Sequence, residues 1–220
     1  MASPLSLILV MVIKDLKLDL RRKIEAGSIA VFSIAAAMLT SFSIHSDVKA
    51  VEPTLMLVMV FLSVFASLAS FIRESEQGTL EGLRAAPISP ELLFIAKLVY
   101  SFVLIVAQEL IYIVSLVFFT QIAALLSPSL IALLLFSALY LSASSSFASS
   151  LLVYSEARGV LLPVTILVLV LPFIQYSSPI VSSTLLGSPA SINAIASLAA
   201  LSIGFTAIVV FLSRFIIEAL

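Results

Sequence analysis

Six apolar stretches, at about residues 26 to 44, 53 to 72, 98 to 120, 129 to 152, 160 to 176 and 192 to 213, decide what this chain can fold into. Each falls in the range of about 17–25 residues that lets a helix cross the hydrocarbon core of a bilayer. Of the 220 residues, 62% are hydrophobic and 10% charged, where a soluble domain is nearer half apolar and about a quarter charged. A water-soluble fold of this composition would expose large apolar patches, which a bilayer accepts. The expected fold is therefore an all-α polytopic membrane protein with six transmembrane helices. The fifth stretch is the shortest and holds Pro163 and Pro172. It is expected to kink, or to break near Pro172 with a short external re-entrant piece running to about residue 190.

The charges give an independent check on that count. Ten of the eleven Lys and Arg residues fall on one side of the expected topology: Lys14, Lys17, Arg21, Arg22 and Lys23, then Arg73, Arg84 and Lys97, then Arg158 and Arg214. Lys49 alone falls on the other. Cytoplasmic loops retain basic residues, so both termini are expected in the cytoplasm. A miscounted span would scramble this segregation.

Other features exclude function classes. A net charge of −1 provides no global field for nucleic acid. With no cysteine there can be no disulfide framework, thiolate metal site or cysteine nucleophile. Hydrolysis within a bilayer would need paired aspartates, a serine with its base or a metal cluster, and no Asp or His lies within any of the six stretches. The six glycines, at 27, 78, 82, 159, 187 and 204, cannot spell the G-x-x-x-x-G-K-[ST] phosphate cradle, so any nucleotide must be bound by a partner. Tryptophan is absent, which leaves Tyr100, Tyr112, Tyr140 and Tyr154 as the expected interfacial anchors. The apolar run Leu5 to Ile13 has the length of a signal-peptide core, but charged residues follow it where a small-residue cleavage site should lie.

Before the first span, Leu9, Ile13, Leu16, Leu20 and Ile24 recur at helical spacing while Lys14, Lys17 and Arg21 fall on another face. Residues 5–25 thus read as an amphipathic helix lying in the membrane plane, with Lys14, Lys17, Arg21 and Arg22 toward anionic headgroups. A solvated helix packed on a partner has the same pattern.

The one long cytoplasmic connection, residues 73–97, reads RESEQGTLEGLRAAPISPELLFIAK. Leu80 and Leu83 form an apolar edge on a short helix carrying Glu74, Glu76 and Glu81; Pro87 ends it, and Ser89-Pro90-Glu91 starts the next. Such a piece suits a groove on a cytoplasmic partner, although an ordinary solvated loop could share its composition. In the fourth span Ala138, Ser142, Ser146 and Ser150 make a small-residue stripe that lets another helix approach closely; a cargo-lining role for the hydroxyls is the alternative. Glu109 is the only charge inside a span. It is either hydrogen-bonded within the bundle or part of a translocation path. The single histidine, His45, stands in the first external loop and as one nitrogen offers no chelate.

The pattern Glu76-x-Gly78-Thr79-Leu80-Glu81-x-Leu83, then Pro87-Ile88-Ser89-Pro90, then Lys97 opening a span, resembles the cytoplasmic loop of type-2 ABC exporter permeases. Among these the chain resembles the CcmB family, the haem-exporter permeases of cytochrome c maturation. It shares their length, their six spans, a charged amphipathic start at Lys14-Asp15-Leu16 to Arg22, and the step Arg158-Gly159-Val160-Leu161-Leu162 before the fifth span. The resemblance covers nearly the whole chain. It implies a single permease domain over 1–220 in a prokaryotic cytoplasmic membrane. By the same resemblance Glu74, Glu76, Gly78, Leu80, Glu81, Leu83, Arg84 and Pro87 dock a separate CcmA-like ATPase that binds ATP in trans. Further implied partners are CcmC-, CcmD- and CcmE-like proteins, with haem as cargo, and assembly as a homodimer or with a second membrane subunit. The docking loop is common to many exporters, so a lipid, glycan or drug cargo stays open, as does a non-transporting scaffold.

Overall fold

The computed structural model of the chain describes residues 4–21, 23–46, 51–79, 82, 88–122 and 127–219. All regular structure among these residues is helical. Helix α1 (Pro4–Arg21) leads into α2 (Lys23–Ser46). Next, α3 (Val51–Ser67) runs through a π-helical turn, Leu68–Ile72, into α4 (Arg73–Glu76). Helices α5 (Pro90–Thr120), α6 (Pro128–Leu152), α7 (Arg158–Leu185) and α8 (Ile192–Ala219) complete the bundle. Four helices, α5 to α8, are long and apolar enough to cross a membrane, and two shorter apolar stretches lie at Gly27–Ser43 and Glu52–Ala66.

The helix boundaries follow local chemistry. The Leu92 N–H donates to Ser89 Oγ at 3.4 Å with Pro90 as the first helical residue, and the Leu130 N–H donates to Ser127 Oγ at 3.3 Å ahead of Pro128. In each case a hydroxyl accepts from an N–H that has no partner within the helix, while the proline occupies a position where the missing N–H costs nothing. At the other end of α7, Gly187 takes a φ of +71°. This lets Ser188 N–H reach the Ser183 carbonyl at 3.0 Å and Gly187 N–H the Thr184 carbonyl at 3.0 Å, the glycine-terminated stop expected of a helix C-terminus.

Of the two expectations for the fifth stretch, a kink or a break, the break is overturned. The fifth stretch neither breaks near Pro172 nor forms a re-entrant piece; α7 is a single helix of 28 residues with Pro163, Pro172 and Pro179 inside it. Each proline deprives only the carbonyl four residues earlier of its donor. Opening the helix in an apolar setting would strand several more groups, so continuity is the lesser cost. The Tyr140 hydroxyl, donating to the Leu169 carbonyl at 2.7 Å, supplies a donor next to the gap left by Pro172.

Helix α6 is the hub, packed against α3, α5, α7 and α8. Its stripe of Ala138, Ser142, Ser146 and Ser150 is fully buried. Ser142 and Ser150 turn their hydroxyls back onto the carbonyls of Leu139 (2.9 Å) and Phe147 (2.8 Å), so small volume and satisfied polarity coexist at the seam. Only Ser146 of the four reaches across, donating to Ser101 Oγ of α5 at 3.3 Å. Tyr140 stacks between Phe173 of α7 and Phe205 of α8, with ring centroids 5.6 and 4.6 Å away.

The tyrosines also depart from expectation. Tyr100, Tyr112 and Tyr140 are buried in the bundle and do not form an interfacial belt; of the four, only Tyr154 is exposed. Each buried hydroxyl has a partner: Asp19 for Tyr100, Thr40 Oγ1 at 3.0 Å for Tyr112 and the Leu169 carbonyl for Tyr140. A buried phenol that meets a partner keeps its ring's apolar burial without stranding its polar end.

Candidate functional site

At one end of the bundle α1, α4, the start of α5 and the α6–α7 connection converge on a cluster of charged side chains. The approach from α3 is through the π turn. There the Ile72 N–H finds Ser149 Oγ of α6 at 3.3 Å, which is one way a widened turn keeps its backbone satisfied. Arg73 and Glu74 follow directly. Glu74 points inward and is 6% exposed; Lys97, on α5, is 1% exposed. The Lys97 ammonium donates to Glu74 Oε1 at 2.6 Å and to Asp15 Oδ2 of α1 at 2.8 Å. Arg73 donates to Asp19 of α1 and, at 3.3 Å, to the Tyr100 hydroxyl, which in turn donates to Asp19. Lys14 completes the network, 3.1 Å from Asp15 Oδ1 and 3.2 Å from Glu74 Oε1. Partial burial pulls the Lys14 ammonium down, but the two carboxylates outweigh it and hold its pKa above the ordinary lysine range.

These pairings orient α1. Its inward face carries Met11, Val12 and Asp15, packed on α5, while Leu9, Ile13 and Leu20 are exposed. Leu9, Ile13 and Leu20 of the apolar periodicity therefore mark the outward side while Leu16 packs inward beside Val12 and Tyr100, and a second period of four, Met11-Asp15-Asp19, marks the inward face. Lys17 and Arg21 are exposed, as headgroup contact would require. Lys14 is drawn into the cluster instead, and Arg22 lies outside the described residues.

The segment that follows α4 leaves this anchor abruptly. Gly78, at φ +66°, ends α4: Gly78 N–H donates to the Ser75 carbonyl at 3.2 Å and Thr79 N–H to the Glu74 carbonyl at 3.0 Å. A left-handed residue is needed there, and glycine adopts it without a Cβ penalty. Glu76, Gln77, Gly78 and Thr79 are exposed. Glu76 makes a pair with Arg158 at 3.2 Å, and Ser75 donates to the Val153 carbonyl at 3.3 Å. Both contacts tie the segment to the α6–α7 connection. Leu80, Glu81, Leu83, Arg84 and Pro87 lie outside the described residues.

Glu109 stands apart, fully buried where α5 meets α6. Ser137 Oγ donates to its Oε1 at 2.8 Å, while Glu109 Oε2 and the neighbouring Gln108 Oε1 have no partner among the described residues. It thus faces the bundle interior, as an intramembrane acid should. The sequence singled out Glu74, Glu76 and Gly78 as docking residues, of which Glu74 instead lies buried against Lys97, and it missed Asp15, Asp19, Lys97 and Tyr100 as one unit. The available signal was the acidic i, i+4 pair on the α1 face opposite Leu9 and Ile13.

Long apolar helices around a small-residue hub, with a charged anchor at one end, define a multi-pass membrane protein of the permease class. The chain belongs to the CcmB protein family, whose model matches residues 6–219. That family comprises the membrane permeases of haem export in cytochrome c maturation. No curated protein matches the chain at a significant level.

Proposed function

We propose that this chain is the six-span permease subunit of an ABC exporter, with residues 73–97 docking a separate CcmA-like ATPase that binds ATP in trans. ATP hydrolysis by that partner drives haem delivery, or release of a haem carrier, at the outer face, in company with CcmC-, CcmD- and CcmE-like proteins. Two copies, or one copy with a second membrane subunit, form the transport unit.

The observation that carries this reading is the construction of the 73–79 segment. Its base is anchored by Glu74 on buried Lys97, while Glu76 to Thr79 are exposed beyond a glycine stop. A rigid base beneath an exposed tip is what a docking piece needs if a partner's movement is to reach the bundle. The six-span count is supported by length: α2 has 24 residues, about 36 Å at 1.5 Å per residue, against a hydrocarbon core of about 30 Å. The unbroken run from α3 through the π turn to α4 serves for the second span. Both termini in the cytoplasm are supported by the gathering of Lys14, Arg73, Lys97, Arg158 and Arg214 at one end, each bridged to an acid there.

The test is a pull-down of the solubilised chain with its ATPase, comparing wild type with a Glu76→Ala, Glu81→Ala, Leu83→Asp variant. Wild type is expected to bind and stimulate ATP hydrolysis and the variant to lose both. Failure of wild type to recruit any ATPase would leave the scaffold reading in its place.

A further inference from the structure

The cytoplasmic segment that begins at Arg73 and ends at Lys97 is closed on itself. Glu74, at its start, accepts from Lys97, at its end, across 2.6 Å. A load on Glu74 is therefore carried directly to a buried residue of α5. The same ammonium also holds Asp15 of α1 at 2.8 Å, and a second link, Arg73 to Asp19, lies one helical turn further along α1. Lys14 of α1 adds a third link, to Glu74 at 3.2 Å, from a half-exposed position. The helix rests on α5 through Met11 and Val12, and its opposite side exposes Leu9, Ile13 and Leu20. A helix held on one side and immersed in lipid on the other can move in the membrane plane, and its charged bonds determine what it moves with. The link to the α6–α7 connection is of a different kind, because Arg158 and Glu76 meet at the surface, where water weakens such a pair.

We propose that Lys97 is a positioning residue that binds the docking segment and helix α1 into one moving body, so that displacement of the segment by its cytoplasmic partner is delivered to the membrane-plane helix. This deepens the exporter reading and rests on it. Lys97 touches no cargo; it acts through Glu74 and Asp15. Because its charge is balanced by two carboxylates from different helices, Arg can replace it and an apolar residue cannot, unless both acids are also neutralised to spare the fold.

The chain contains no cysteine, so spin-label pairs can be introduced cleanly. A Lys17→Cys, Gln77→Cys pair, both sites exposed, reports α1 against the segment. A Gln77→Cys, Leu186→Cys pair reports the segment against the far end of the bundle. In nanodiscs the free wild-type chain is expected to give one narrow 17–77 distance distribution. Lys97→Arg keeps it, whereas the Asp15→Asn, Glu74→Gln, Lys97→Met triple broadens it. With the ATPase present, nucleotide shifts the 77–186 distance in wild type and leaves 17–77 unchanged; the triple still recruits the ATPase, and its stimulation falls several-fold. A triple variant whose 17–77 distribution stays as narrow as wild type overturns the single-body proposal, whether or not an ATPase is recruited. A wild-type chain that recruits none overturns the exporter reading, and the proposal with it.

Discussion

Lys97 and Glu74 stand 23 residues apart in sequence and 2.6 Å apart in space, and neither is accessible to solvent beyond a few percent. Taking both charges out of water is costly, and the cost is met only while each keeps its partner. Lys97→Ala leaves Asp15 and Glu74 only the half-exposed Lys14 as a partner and is expected to destabilise the chain by up to about 3–5 kcal/mol. The triple replacement by Asn, Gln and Met, which removes every charge together, should cost far less. Thermal unfolding of the purified variants in detergent measures both, and equal losses would contradict the account.

The π turn depends on a neighbour. Ser149→Ala removes the side-chain acceptor that the Ile72 N–H meets in a buried setting, which costs about 0.5–1.5 kcal/mol. Hydrogen exchange at Ile72 and its neighbours should accelerate in this variant while α7 and α8 stay protected.

Gly78 ends α4 in the left-handed region. Gly78→Ala imposes a Cβ penalty of about 1–2 kcal/mol there, while Gly78→Asn should cost less because asparagine tolerates the conformation. ATPase recruitment is expected to fall in the order Gly, Asn, Ala. The reverse order of Asn and Ala would show that side-chain bulk, and not backbone geometry, governs the segment.

Tyr140→Phe retains the stack on Phe173 and Phe205 but removes the donor to the Leu169 carbonyl. A loss of about 0.5–1.5 kcal/mol is expected. It should be accompanied by faster exchange around Pro172, since that is where α7 already lacks a backbone bond.

Glu109→Gln preserves an acceptor for Ser137. The variant is expected to fold and assemble as wild type. Haem-dependent maturation of a reporter cytochrome then separates the two roles: unchanged maturation assigns Glu109 to packing, and lost maturation with an intact fold assigns it to the path.

Much of the architecture was legible because its determinants are local. The Ser89-Pro90 start and the Ala138 to Ser150 stripe each act within a few residues, and each lies where the pattern indicated. Pro172 misled because a proline's local preference to interrupt a helix competes with an apolar environment that penalises the interruption. The tyrosines misled because an amphipathic ring serves equally at an interface or beside a buried acceptor, and only the neighbours decide.

By itself, then, the sequence determined the class: a helical membrane protein of the CcmB family. Tertiary structure alone decided which of its charges meet. Asp15 and Lys97 are 82 residues apart, and Asp19 and Arg73 are 54 apart. The period of one helix reveals that it has two faces, but not which face a neighbour will cover. For α1 that choice follows from the cations α4 and α5 present to it: the acids turn inward to pair with them, and Leu9 and Leu20 are left exposed.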